Sequence, residues 1–370
     1  MWGRPSRRGR SRHGRRPLGG GALLGIIGAG AIAAGVAAAA GPTSEYRQVN
    51  LISDIPGVAR ITDPNLVNPW GQAASPTSPL WVADNGMNVS TLYTGGVNGS
   101  IPKIVPLVVE IAGGAPTGVV FNPTDDFVVH AAQGSAPANF IFDSEAGRIS
   151  AWSRKVSGTE ARTVFSGGDS VYKGLALVST ARGSFLYATN FHEGRIDVFN
   201  AHFHKVSSPG GFTDPNIPAG FAPFGIQAIG GSLYVTYAKQ KQPDRHDDEA
   251  GPGNGFVDVY DTSGHLLKRL VSRGDLNSPW GLALAPKSFG AFGGDLLVGN
   301  FGDGAIHAYD PSTGAEKGQL VNADGNPIVI NGLWGLRFGN GTFAGNEALV
   351  FTAGIGDESH GLLGEITLAK

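Results

Sequence analysis

An aromatic residue followed by glycine recurs in register along this chain. It stands in "NPWGQAA" (68–74), "APFGIQAI" (222–229), "SPWGLALA" (278–285) and "GLWGLRFG" (332–339), with weaker copies in "APTGVVFN" (115–122) and "VYKGLALV" (171–178). The glycines are Gly71, Gly118, Gly174, Gly225, Gly281 and Gly335, at spacings of 47, 56, 51, 56 and 54 residues. Self-similarity at this period marks a chain built from repeated supersecondary units.

Each copy continues in the same order. A second short strand follows ("LWVAD", "FIFD", "FLYATN", "LYVTY", "LLVGN", "ALVFTA"), then a third ("VSTLY", "RISAW", "RIDVFN", "FVDVYD", "AIHAYD", "LLGEITL"). A fourth appears in most copies, as "KIVPLVV", "ARTVF", "LLKRLV" and "EKGQLV". These runs alternate or are short and apolar, and Gly, Asp and Asn bound them, as they bound strands. The 58 glycines and 23 prolines are spread among aromatic and branched residues, which suits tight turns rather than disorder. An all-β fold follows: a six-bladed β-propeller of four-stranded blades. The third copy marks its fourth strand poorly, around 203–208, and the last copy has none. The unmatched "YRQVNLIS" (46–53) is expected to fill that place, so that the N-terminal strand closes the last blade. A many-stranded β-sandwich would leave the glycine register unexplained.

Residues 1–41 are set apart. They carry seven arginines and no acid, and end in the uncharged "LGGGALLGIIGAGAIAAGVAAAAG" (18–41). A basic start, an apolar stretch and small residues at its end form an export signal. The run at 18–40 is 23 residues, long enough to span a bilayer, so an uncleaved anchor is the alternative. Residues 42–370 are then the propeller, placed outside the cytoplasm (secreted, or in the periplasm or cell envelope), with a membrane met only through the N-terminal segment. Without the leader, 21 bases face 30 acids, a formal −9, which disfavours nucleic acid as a partner. The chain has no cysteine, so disulfides and thiolate metal sites are excluded.

Longer motifs carry a resemblance. "NLVNPWG", "PTGVVFN", "VYKGLAL", "GGFTDPNIPAGFAPFGIQ", "DRHDDEAGPGNGFVDVYD", "LNSPWGLALAP" and "NPIVINGLWGLRFGN" resemble a family of exported bacterial proteins with an NHL/YncE-like propeller, from about Tyr46 to the C-terminus. The resemblance implies a fold and an extracytoplasmic place, and no reaction. Six-bladed lactonases of the gluconolactonase type hold a divalent metal partly through an amide in a "PNG" before a first strand. Here those places read "PWG", "PTG", "YKG", "PFG", "PWG" and "LWG", which counts against lactonase chemistry.

In a propeller, the residues before the register glycines ring the channel mouth. Here they are Trp70, Thr117, Lys173, Phe224, Trp280 and Trp334. The aromatic ones form either a collar that stacks on a flat ligand or a packing wedge between blades. The loops from second to third strands open on the same face. They add Asn190, His192 and Asn300 as ligand-binding candidates, and Asp84, Asn85 and Glu145 as further polar groups. They also bring two acid and histidine clusters, His246, Asp247 and Asp248, and Asp357, Glu358 and His360. Such groups can bind a divalent cation or set a histidine beside a carboxylate as a general base. None has diagnostic spacing; "DRHDDEAGPGNG" is no EF-hand loop, because its acids are adjacent and the closing Glu is missing. Turn-forming Asp and Asn in solvent would look the same. Two functions remain open: a binding or scaffold propeller that recognises a glycan, small molecule or protein at this face, and a metal-dependent, lactonase-like hydrolase using the acid and histidine loops.

Overall fold

The apolar runs between glycines become strands because branched and aromatic residues pack well on a pleated surface. The computed structural model describes residues 44–369; the leader read at 1–41, and its alternative anchor at 18–40, lie outside the described residues. Among the described residues, strands are broken only by loops and three short 3-10 turns, and no helix is long and apolar enough to cross a membrane. Eight strands matter most here: β1 (Tyr46–Ser53), β2 (Pro69–Ala73), β3 (Pro116–Phe121), β4 (Tyr172–Thr180), β5 (Phe221–Ile229), β6 (Pro279–Leu284), β7 (Leu333–Phe338) and β8 (Leu362–Leu368). The register glycines lie in β2 to β7.

β4, β5 and β6 each begin a four-stranded antiparallel sheet. The fourth strand that the third copy marked poorly is only Lys205–Val206. β7 pairs with Leu349–Ala353, which pairs with β8, and β8 pairs with β1 from Tyr46 opposite Leu368 to Ser53 opposite Leu362. The N-terminal strand therefore does sit beside the last strand of the chain. The first two copies share one sheet, because Val109–Ile111 runs parallel to Glu160–Ser166. The expected strand at 103–109 is split into Lys103–Ile104 and Val109–Ile111. Pro106 lies in the gap, and proline has no N–H to give a ladder.

The glycine register has a steric cause. β2 to β7 pack side by side in chain order, and β7 packs against β2. A Cβ on Gly71 would lie 2.5 Å from Thr117 O, on Gly118 2.4 Å from Leu175 N, and on Gly174 3.1 Å from Phe224 O. On Gly225 it would lie 2.1 Å from Trp280 O, on Gly281 2.5 Å from Trp334 O, and on Gly335 2.7 Å from Trp70 O. Each inner strand thus touches the backbone of the next, and the last touches the first. No side chain fits between them. Threonines on second strands clamp the ring: Thr189 Oγ1 donates to Phe224 O (2.6 Å), Thr352 Oγ1 to Trp70 O (2.5 Å), and Thr236 Oγ1 accepts from Gly225 N (2.8 Å). In the second copy Asp143 takes this role, accepting from Gly118 N and Thr117 Oγ1; burial raises its pKa to about 7. Apolar side chains of adjacent sheets fill the space outside the ring, as where Ile141 and Ile149 meet Leu175, Leu186 and Phe199.

Candidate functional site

One end of the channel is closed by aromatic rings. Trp70 stacks on Trp334 with centroids 3.5 Å apart, Phe301 stacks on Trp334 at 4.0 Å, and Trp280 stands edge-on to both tryptophans. Phe191 and Phe224 complete the plug. The collar reading is therefore corrected. Trp70, Phe224, Trp280 and Trp334 are buried, at 2%, 0%, 9% and 1% exposure, because they stack on one another and leave no face for a ligand. Two of the indole N–H groups are tied down, Trp280 to Lys173 O (2.8 Å) and Trp334 to Asn68 Oδ1 (3.1 Å). That of Trp70 has no partner.

Above the plug sits Lys173, the one charged residue in the ring. Its side chain is 3% exposed, yet its ammonium is paired with Glu145, lies 3.7 Å from Asp247, and stands 5.1 Å above the Trp70 ring. A buried ammonium persists only with such compensation. Glu145, at the end of Phe140–Ser144, is held from behind: Asn85 Nδ2 donates to its Oε2 (2.9 Å), and Asn68 Nδ2 donates to Asn85 Oδ1 (3.3 Å). Asn68 adopts φ 45°, a left-handed geometry that Asn tolerates better than most residues. A chain of polar contacts thus runs from the plug to the ammonium.

The long loop after Ser232–Lys239 supplies the rest. It is not a loose insertion. Glu249 N bonds Lys239 O (2.7 Å), Lys241 N bonds Asp247 O (2.8 Å), and Gln240 Nε2 bonds Phe191 O (2.5 Å). So folded, it sets His246 Nδ1 2.8 Å from Asp247 Oδ1 and 3.9 Å from Glu145 Oε1. Ligating atoms of Glu145, His246 and Asp247 all lie within 4.8 Å of one another. Burial pushes the Asp247 carboxyl up, but His246 and Lys173 pull it below the usual carboxylate range. Asp248 is half-buried and its pKa is raised by burial. Glu358 comes from the turn before β8, where Asp357 (φ 52°) and Glu358 (φ 64°) are both left-handed. Such strain is costly and tends to gather at functional turns. Burial first, then the Glu145 charge, raises the Glu358 pKa to about 7, against the pull of Lys173; its Oε1 has no hydrogen-bond partner.

The remaining candidates fall elsewhere. His360 Nδ1 bonds Asp54 Oδ2 (2.6 Å), so it braces the segment after β1 and does not join His246. Asp357 is exposed at its turn and belongs to neither of the two metal-competent triads among the described residues. Asn190 is buried, bonding Ser170, Glu193 and Asp197; Asn300 is buried against Asn277 N and Asp275 O. These amides hold loops and do not face a ligand. His192 is half-buried, with Nδ1 2.9 Å from Asp244 O. Asn68 was missed as a site residue, although the Asn before "PWG" was a visible signal. The second triad, Asp275, His307 and Glu316, lies on the fifth repeat, where Asn300 Nδ2 donates to Asp275 O.

Antiparallel sheets around a ring of inner strands make this a β-propeller. A solved glucose dehydrogenase has the same fold, with a TM-score of 0.50 at 13% identity, covering 88% of this chain and 99% of that one. No family model matches the chain. It is 32% identical over 324 residues to uncharacterized protein R648 of Acanthamoeba polyphaga mimivirus, covering 85% of this chain and 78% of that one. It is 31% identical to uncharacterized protein L690 of the same virus, covering 85% and 84%. The chain belongs to the family of these mimivirus proteins. The relatives are viral, and they do not support the bacterial origin that the resemblance implied.

Proposed function

We propose that this chain is a six-bladed propeller, NHL-like in its blades, that works outside the cytoplasm and receives a positively charged ligand at the Lys173 mouth. The six in-register glycines and the β1–β8 pairing support the blade count. The composition of residues 1–41 supports export or anchoring.

The observation that carries the ligand reading is an excess of acid. Glu145, Asp247, Asp248 and Glu358 lie around the Lys173 ammonium, and Lys241, acting on Asp247, adds a second cation. Carboxylates this close repel unless a cation is shared among them. Lys173 satisfies part of that need. A divalent cation on Glu145, His246 and Asp247 satisfies the rest, through ligand types that suit Mn²⁺, Ca²⁺ or Zn²⁺. With the aromatic rings buried, recognition of a glycan by stacking has no support, and a polar small molecule or a basic segment of a protein fits the mouth better.

Cation-assisted hydrolysis is the second reading. It is favoured by the His246–Asp247 pair, an imidazole oriented by a carboxylate, beside a Glu358 carboxyl able to exchange a proton near neutrality. Calorimetric titration of Ca²⁺, Mn²⁺ and Zn²⁺ into the purified protein tests both. One cation per chain, lost in Asp247→Ala and His246→Ala, is expected. Absence of binding by all three ions rejects the metal site.

A further inference from the structure

At the far end of the channel the inner strands open into a funnel of about 430 Å³. That volume is within the range of about 300–1,000 Å³ for small-molecule sites. Apolar side chains of Ala74, Phe121, Leu177, Ile229, Leu284 and Phe338 share the wall with polar backbone and with Gln72 and Gln227, and Leu284 is 44% exposed. One cation stands in it, Arg337 on β7. Among the described residues no acid offsets its charge; burial alone acts on the guanidinium and lowers its pKa to about 10. The sequence before Glu45 holds no acid at all. Arg337 Nη1 is buried without a hydrogen-bond partner. Gln72, also on the funnel wall, donates from Nε2 to Val350 O (3.1 Å) and leaves Oε1 buried and unbonded. The aromatic plug separates all of this from the Lys173 mouth.

A half-buried guanidinium with one nitrogen sealed from water and no anion is costly, and the cost is removed by a ligand that brings one. Guanidinium matches carboxylate in a two-pronged geometry. The apolar side chains of the wall, Leu284 and Phe338 among them, reward an apolar tail. We propose that the funnel is a second ligand site, for an amphipathic anion of the medium-chain carboxylate class, its head on Arg337 and its tail along the apolar side chains of the wall.

Calorimetric titration with decanoate tests this, with decanol (tail without charge) and acetate (charge without tail) as controls. Decanoate is expected to bind once per chain and more tightly than either control. Arg337→Gln is expected to weaken decanoate by about tenfold or more, the loss of a charged hydrogen bond, and to leave decanol unchanged. Ala228→Trp, which fills the funnel without altering Arg337, is expected to weaken decanoate as well. Should Arg337→Gln fail to fold, Arg337→Lys keeps the charge without the fork and is expected to bind decanoate several-fold more weakly. No binding of decanoate, binding no tighter than decanol, or full affinity retained in the Arg337 and Ala228 variants overturns the proposal.

Discussion

The two ends of the channel each hold one cation, buried at Lys173 and half-buried at Arg337, and treat it in opposite ways. Lys173 has Glu145 and Asp247 beside it and Trp70 beneath it. Arg337 stands among apolar side chains and two glutamines, with no acid paired to it among the described residues. The same type of charge is thus part of the fold at one end and an unmet demand at the other. A buried charge with partners argues for a prepared polar site, and one without argues for a partner that arrives later.

Removing the cations breaks or sharpens this contrast. Lys173→Met strands Glu145 against the plug and is expected to destabilise by about 3–5 kcal/mol in urea unfolding, the cost of breaking a buried pair. It also frees carboxylates, so divalent cations should bind more tightly to the variant. The ring between the two ends comes next: Gly225→Ala places a Cβ 2.1 Å from Trp280 O and is expected to cost about 3 kcal/mol. Arg337→Met is expected to act in the other direction, raising stability without ligand by about 1 kcal/mol. A loss of stability there would mean that Arg337 has partners and that the contrast is false.

A pH series probes the mouth from the acid side. The folded pKa of Glu358 is raised to about 7 from an ordinary 4.5. Its contribution is therefore fully present below about pH 4.5 and lost as pH rises through 7. Glu358→Gln is expected to flatten the fall in stability between those limits. It should not abolish it, because Asp143, also raised to about 7, acts with the same sign. An unchanged slope would contradict the placement of Glu358. The smallest effect is expected for His360→Ala, under about 1 kcal/mol with cation binding intact, since its half-exposed pair with Asp54 lies outside the cluster.

Much of the ring was legible because its cause is local and repeated: where backbones touch, only glycine fits. The β1–β8 closure was legible because one strand was missing at one end and spare at the other. Of the site, Lys173, His246, Asp247, Asp248 and Glu358 were named from sequence. Their grouping was not fixed, because charge clusters carry no spacing rule when each member comes from a different repeat. His360 was misassigned because its partner, Asp54, lies 306 residues away across the closing strand. Whether the tryptophans form a collar or a plug depends on ring-to-ring distance, which composition cannot show. Arg337 drew no notice because a lone arginine in "GLWGLRFG" signals nothing until its surroundings prove empty of acid.

The most direct test of the mouth is anomalous diffraction from crystals soaked in Mn²⁺. A peak about 2.0–2.4 Å from oxygens of Glu145 and Asp247 and a nitrogen of His246, with the Lys173 ammonium displaced from Glu145, is the predicted result. A mouth without a peak, or manganese found only at Asp275, His307 and Glu316, would contradict it.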